Sequence, residues 1–156
     1  MDNAIHVCYA LNDISGSYAK FVGTSMCSLF ENTHSQVVIH VLHDDTLTEE
    51  NKLIALTDDY SQKICFYNIL TNSVIRDFIG KIQQIYLPQY QGMLFRFAIG
   101  EFLPYHIERV IYLDADTIVH MDINKLWNAD LGNAHIAAVS DSVIAMLPKK
   151  IGSYCG

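Results

Sequence analysis

The sequence predicts an α/β fold built on a mostly parallel β-sheet covered on both faces. Three observations carry that expectation. Short apolar runs alternate along the chain with longer amphipathic ones. The apolar runs are continuous, as in strands buried on both sides, rather than alternating apolar with polar. No internal repeat, low-complexity tract or linker breaks the order, so residues 1–156 read as one domain.

The elements follow in order. "AIHVCYA" (4–10) is the first strand. "SYAKFVGTSMCSLFE" (17–31) is a helix that places Tyr18, Phe21, Val22, Ser25, Met26 and Leu29 on one face. "QVVIHVL" (36–42) is a second buried strand. "TEENKLIALTDDYS" opens with Thr48 as N-cap and acids in the first turn, and so reads as a helix. "KICFYNI" (63–69) is a third strand, and "SVIRDFIGK" a short helix. "QYQGMLFRFAIGEFL" (89–103) predicts a very apolar, largely buried helix. "RVIYLDADTIV" (109–119) is the fourth strand, "NKLWNAD" a helical turn, "HIAAVS" (135–140) another strand and "DSVIAML" a last helix. Together they make one Rossmann-like unit.

Composition excludes several functions. The net charge of −7, from 17 acidic and 10 basic residues, disfavours nucleic acid, whose phosphates need Lys and Arg. A phosphorylated ligand would need positive charge from something other than the overall field. No apolar run reaches membrane-span length, and "MDNAIHVCYA" lacks a signal peptide's basic flank, which makes cytoplasm the default. The four cysteines (Cys8, Cys27, Cys65, Cys155) have no paired spacing and read as reduced, mostly buried thiols. No HxxxH or CxxH pattern supports zinc. His40 and His43, three apart on a strand, face opposite sides and read as structural. Trp127 reads as a packing anchor, and the aromatic residues of 86–102 as core. No GxGxxG or P-loop appears, which leaves NAD and ATP without support.

The chemistry gathers at "LDAD". On a strand, Asp114 and Asp116 project from the same face while Ala115 turns away, with Cα atoms roughly 6–7 Å apart. Two carboxylates so placed share a divalent cation or repel each other. Ligands of open α/β sheets bind beyond the carboxyl ends of strands, where Asn12 and Asp13 also lie. Oxygen donors favour Mg²⁺ or Mn²⁺, and such an ion bridges an acidic protein to a diphosphate. Arg96, amid the apolar "MLFRFAIG", needs an anion. That anion is either a carboxylate such as Asp77 or Glu101 or a ligand phosphate, which suits arginine's planar fork.

At this point the residues resemble the retaining glycosyltransferases of family 8. "CYALNDISGSYAKFVGTSMCSLFEN" is similar to the family's opening strand, nucleotide loop and first helix. "HVLHDDTLTEEN" looks like its second strand and helix. "LFRFAIGEFLPYHIERVIYLDADTIVHMDINKLWNADLGNAHIAAVSD" combines the arginine helix, the DxD strand and the "LWNADLG" segment in family order. The resemblance implies a GT-A-type nucleotide-sugar-binding fold that holds a UDP-hexose through Mn²⁺ or Mg²⁺ and transfers the sugar to a saccharide acceptor. It implies that Ala10, Asn12 and Asp13 contact uridine and that Tyr18 stacks on or flanks the uracil. Arg96 would approach the sugar or phosphates, Asp114 and Asp116 would hold the metal with Ala115 between them, and Asp141 would lie near the donor sugar. It further implies lipopolysaccharide or other surface-polysaccharide assembly, in the cytoplasm or peripherally at the inner face of the membrane. Two departures stand out. The family usually has an aspartate where Asn12 stands, in a slightly shorter loop. The family also continues into a "YFNSGV"-like strand, a later histidine ligand and acceptor-side residues. The expectation is therefore a GT-A domain whose C-terminal part is missing.

Two other readings follow from the same residues. "VIYLDADTIV" is similar to the first motif of haloacid-dehalogenase phosphatases, but those place it on an early strand and need later motifs that this chain lacks. A non-catalytic nucleotide-binding module is the other. Its uncovered C-terminal edge would favour self-association.

Overall fold

The structure is a computed structural model that describes residues 4–82 and 88–139. Its strands and helices alternate: β1 (Ile5–Leu11), α1 (Tyr18–Asn32), β2 (Val37–His43), α2 (Glu50–Asp59) and β3 (Lys63–Asn68). After a 3₁₀ turn (Ile69–Thr71) come α3 (Ser73–Ile82), a 3₁₀ helix (Pro88–Ala98), α4 (Ile99–Phe102), β4 (Ile111–Tyr112) and α5 (Asn124–Trp127). The four strands form one parallel sheet in the order β3-β2-β1-β4. The α/β expectation therefore holds, because continuous apolar strands need cover on both faces.

The core has two layers. Alternate residues of β1 (Ile5, Val7, Tyr9, Leu11) pack with Val37, Ile39 and Val41 against α1 and Leu53 of α2. The opposite face of β1, through Cys8 and Ala10, joins Leu42, Ile69 and Ile79 under Phe95 and Ala98 of the 3₁₀ helix. Every residue of β2 is buried. Full burial of such side chains contributes about 1.5–3 kcal/mol each, so β2 anchors the sheet.

Several expectations are corrected. Thr48 does not cap α2; Glu49 takes the N-cap position without a side-chain cap bond. The buried stripe of α1 is Ala19, Val22, Ser25, Met26, Leu29 and Phe30, while Tyr18 and Phe21 remain exposed. The segment expected as a buried α-helix is a 3₁₀ helix followed by one α turn. Its period of three explains the choice. Gly92, Phe95 and Ala98 fall on one line toward the sheet, and Met93 and Arg96 fall on the next. Only part of it is buried, since Met93 and Phe97 are exposed. The aromatic residues of 86–102 thus divide: Phe95 is core, Phe102 packs beside it, Phe97 faces solvent, and Tyr86 lies outside the described residues. The fourth strand shrinks to two residues, and Val110 to Leu113 are half-buried rather than sealed. Residues 135–139 form no strand and are exposed, with no neighbouring strand described to satisfy their backbone. "DSVIAML" and Cys155 lie outside the described residues.

The histidine and tryptophan readings stand. His40 is buried between His6 Nδ1 at 2.9 Å and the Tyr67 hydroxyl at 3.0 Å. His43 is buried with Nδ1 2.9 Å from the Asp44 carbonyl oxygen. Trp127 packs against the α1-side core. Cys8 is buried, and that burial pushes its thiol pKa up to about 12. Cys27 is half-buried, but Cys65 is exposed, against expectation; all three are free thiols.

Candidate functional site

The chain runs outward from β1 to β2 to β3 and then crosses back to place β4 on the other side of β1. Loops leaving the carboxyl ends of β1 and β4 therefore diverge, and a crevice opens between them. A cavity of about 520 Å³ occupies this place, within the range of small-molecule sites. Ala10, Asn12, Tyr18, Arg96, Asp114, Ala115 and Asp116 all line it, although they come from three separate stretches of sequence. Asp13 does not line it. Asp141 lies outside the described residues.

Asp13 serves the scaffold. It is 1% exposed, and its Oδ1 accepts the Tyr18 N–H at 2.6 Å, covering one of the free donors at the start of α1. The loop turns at Gly16, whose φ of 67° is open to glycine at little cost, and the Gly16 N–H donates to the Asp13 carbonyl oxygen at 2.8 Å. Asp13 Oδ2 is buried without a partner among the described residues. The turn brings Tyr18 to the cavity wall, edge-on to Phe21 with ring centroids 5.6 Å apart.

Asp114 and Asp116 do not sit on a strand, as the i, i+2 argument required. Pairing with β1 ends once the Leu113 N–H reaches the Cys8 carbonyl oxygen at 3.0 Å, and the chain then turns. The outcome of that argument survives by another route. Ala115 is 4% exposed and joins the core, while both aspartates face the cavity and solvent. Polar side chains of α1 hold the turn in place of a sheet. The Ser25 hydroxyl lies 3.2 Å from Thr117 Oγ1, Ser28 Oγ accepts the Val119 N–H at 2.9 Å, and Asn32 donates to the Val119 carbonyl oxygen at 3.2 Å. The Thr117 hydroxyl closes the turn onto the Asp114 carbonyl oxygen at 2.7 Å.

Arg96 is neither deeply buried nor paired with Asp77 or Glu101. Its side chain is 32% exposed, and Nη2 donates to Asp114 Oδ1 at 2.9 Å. Its Nε donates to the Met93 carbonyl oxygen at 2.8 Å, and the guanidinium lies 4.7 Å from the centre of the Tyr112 ring. The Tyr112 hydroxyl donates to the same Asp114 oxygen at 2.9 Å. Burial, reinforced by the Asp114 charge, pushes the Tyr112 phenol well above its ordinary pKa, so it remains a protonated donor. With Asp114 half exposed, the pair adds at most about 1 kcal/mol of stability. Its main effect is to fix the direction of the guanidinium.

Sequence reasoning missed Leu11, Ile14, Ser15, Gly92, Met93 and Tyr112 on the cavity wall. Gly92 carried a signal, as a glycine inside an apolar helical run. A Cβ there would meet the Asn12 backbone nitrogen at 3.2 Å, so its absence lets the 3₁₀ helix close one side of the cavity. Met93 follows from Arg96 by a period of three, once the helix is known to be 3₁₀. Ile14 and Ser15 carried no signal.

The donor set suits a hard divalent ion only in company. Among the described residues no group of three or more His, Cys, Asp or Glu could hold a metal by itself. Two exposed carboxylates beside a cavity fit the Mg²⁺ or Mn²⁺ pattern, in which one or two protein carboxylates are joined by ligand phosphates and water.

The comparisons agree with this geometry. The model for "Glycosyl transferase family 8" matches residues 7–155. "Glycosyltransferase 8 domain-containing protein 1" of Danio rerio is 31% identical over 121 residues, which is 76% of this chain and 31% of that protein. The galactosyltransferase LgtC, solved with donor and acceptor sugar analogues, superposes with a TM-score of 0.61 at 24% identity, over 82% of this chain and 44% of that one. The glycosyltransferase GlyE of Streptococcus pneumoniae, solved in its apo form, gives a TM-score of 0.63 at 22% identity, over 94% of this chain and 32% of that one. The chain spans between 31% and 48% of the length of the curated relatives it matches. Sheet, crevice and family match converge: this chain belongs to glycosyl transferase family 8 and has a GT-A-type fold.

Proposed function

We propose that this chain is the nucleotide-sugar-binding part of a metal-dependent, retaining hexosyltransferase. It takes a UDP-hexose donor and serves transfer to a saccharide acceptor, in surface-polysaccharide assembly on the cytoplasmic side of a membrane. One observation carries the reading: a single cavity gathers the β1 loop, Arg96 and both aspartates of the "DAD" turn. No helix among the described residues is long and apolar enough to cross a membrane.

The roles proposed are those the resemblance implies, and the shared cavity supports them. Ala10, Asn12 and Tyr18 form the wall for uridine, with Tyr18 giving a ring face. Asp114 and Asp116 would hold Mn²⁺ or Mg²⁺ together with the diphosphate. Bound there, the ion would offset the charge that builds on UDP as the glycosidic bond breaks. Arg96, aimed across the cavity by Met93 and Tyr112, adds donors for the sugar or phosphates. Its pairing with Asp114 uses one carboxylate oxygen and leaves the other for a cation. Asp141 is assigned to the donor sugar by resemblance alone.

A second reading is a module that binds the nucleotide without turnover. On that reading the side of β4 away from β1 would favour self-association. Family membership leaves the phosphatase reading without support.

Calorimetric titration of UDP with and without Mn²⁺ tests the site. The expected result is binding about tenfold or more tighter with Mn²⁺, with that gain lost in Asp116→Ala. Equal affinity in both conditions overturns it. Release of UDP from a UDP-hexose in the presence of a saccharide acceptor separates the active reading from the silent one.

A further inference from the structure

We propose that Asp44 sets the base selectivity of this cavity, acting as a positioning residue through Asn12. The inference rests on the reading of the cavity as a uridine diphosphate site and names the residue behind its wall that enforces that base.

Asn12 lines the cavity; Asp44 does not, and is 8% exposed behind it. The Asn12 side-chain nitrogen donates to Asp44 Oδ2 at 2.5 Å. An ionised carboxylate has no proton to give, so only the NH₂ end of the amide can face it. The other end of the amide, Oδ1, is left as an acceptor and takes no hydrogen bond from the described residues. Asp44 is itself held in place. Its Oδ1 accepts the Thr46 N–H at 3.0 Å and the Thr46 hydroxyl at 2.5 Å. That hydroxyl, with its proton committed to Asp44, accepts the Asp13 N–H at 2.7 Å. Two backbone N–H groups, which cannot reverse their polarity, thus fix the sense of the whole chain of bonds.

An asparagine alone can donate or accept, and so discriminates poorly. Locked by Asp44, Asn12 presents its carbonyl oxygen. Uracil carries a proton on N3 and can donate to that oxygen, whereas cytosine has an unprotonated N3 there and sets two acceptors face to face. A site built around one hydrogen bond rejects the analogue that lacks it, because its polar group is then left unpaired. The pair therefore selects a uridine over a cytidine diphosphate.

The test is the ratio of UDP to CDP affinity, measured calorimetrically with Mn²⁺ on the whole chain. Wild type is expected to prefer UDP by about tenfold or more. In Asp44→Asn the Thr46 N–H still needs an acceptor, so the introduced amide turns its oxygen to Thr46 and its NH₂ to Asn12. Asn12 must then reverse, and the preference for UDP is lost or inverted. The double variant Asn12→Asp, Asp44→Asn restores an acceptor at position 12, with the amide at position 44 donating to it, and the preference returns. That rescue is not expected from a purely structural role. Equal wild-type affinities, or an undiminished preference in Asp44→Asn, overturn the inference while leaving the nucleotide site intact. If Asp44→Asn does not fold, Asp44→Ala decides: without its carboxylate partner Asn12 can turn either end to the base, and the UDP preference is expected to disappear, whereas an undiminished preference overturns the inference. A wild-type chain that binds neither nucleotide removes the site itself, and the inference with it.

Discussion

The two walls of the crevice are built by different means. On the β1–β2 side every residue of β2 is buried, and the loops beyond the strands are pinned by short bonds among Asn12, Asp13, Asp44 and Thr46. On the β4 side the strand is two residues long, its apolar neighbours are half-buried, and both aspartates face solvent. There the backbone is held by hydroxyls of α1 rather than by a ladder. On the proposed reading of the cavity, the difference separates recognition from chemistry. A rigid wall suits reading a flat base, because a fixed acceptor discriminates and a mobile one does not. An exposed wall suits charges meant for a ligand, because carboxylates in water bear little desolvation cost until an ion arrives.

Substitutions can break this contrast. The largest effect is expected from Ile39→Ala in β2, where a side chain with no exposed surface is lost: about 3–4 kcal/mol, read from denaturant midpoints. The matched change Ile111→Ala in β4, at a half-buried position, should cost about 1 kcal/mol. Equal losses would mean that β4 is as firmly built as β2.

Acid should also act on the rigid side. Burial, and secondarily the charge of His6, lower the His40 pKa from 6.5 to about 4. Folded His40 therefore stays neutral where the unfolded chain has begun to take a proton. Stability should be full above pH 6.5 and fall as pH drops through the window down to about 4, by about 2–3 kcal/mol. Unfolding free energies across that window, compared with His40→Gln, should show the slope flatten in the variant.

The smallest effect sharpens the comparison instead of breaking it. Gly92→Ala puts a Cβ 3.2 Å from the Asn12 nitrogen, where the 3₁₀ helix meets the β1 wall. Reduced freedom in the unfolded chain, a gain of about 0.4–1 kcal/mol, partly offsets the crowding, so stability should change little. UDP affinity should fall about threefold as the 3₁₀ helix moves outward and takes Arg96 with it. An unchanged affinity would show that the walls do not depend on this contact.

Legibility in the sequence followed the same divide. β1, α1, β2, α2, β3 and α3 stand within about two residues of their expected bounds, because continuous apolar runs and a clear helical period leave few alternatives. The α1 stripe is as expected at Val22, Ser25, Met26 and Leu29 and differs at Tyr18 and Phe21. Periodicity shows that a helix has an apolar side, but Tyr18 and Phe21 are as apolar as Ala19 and Phe30. Which pair faces the sheet depends on how the helix docks. In 89–103 the composition was read correctly and the period was not. An α-helix and a 3₁₀ helix share this composition, and only the fit of Gly92, Phe95 and Ala98 against β1 selects the tighter winding. "RVIYLDADTIV" has the composition of a strand throughout, yet pairing stops at Tyr112 although β1 continues to Leu11, because the chain turns and its backbone is taken up by Ser28 and Asn32 of α1.

The sequence alone determined the α/β alternation, the parallel sheet and the residue types that could meet a diphosphate, since these rest on local apolar pattern and on what carboxylates and guanidinium can bind. Tertiary structure decided which of those groups meet. It placed Arg96 on Asp114 rather than Asp77 or Glu101, moved Asp13 out of the cavity and under α1, and set Asp44 behind Asn12. The reason is physical. A hydrogen bond of 2.5–3 Å depends on the relative position of elements 18 to 32 residues apart in the chain, which only the packed sheet fixes.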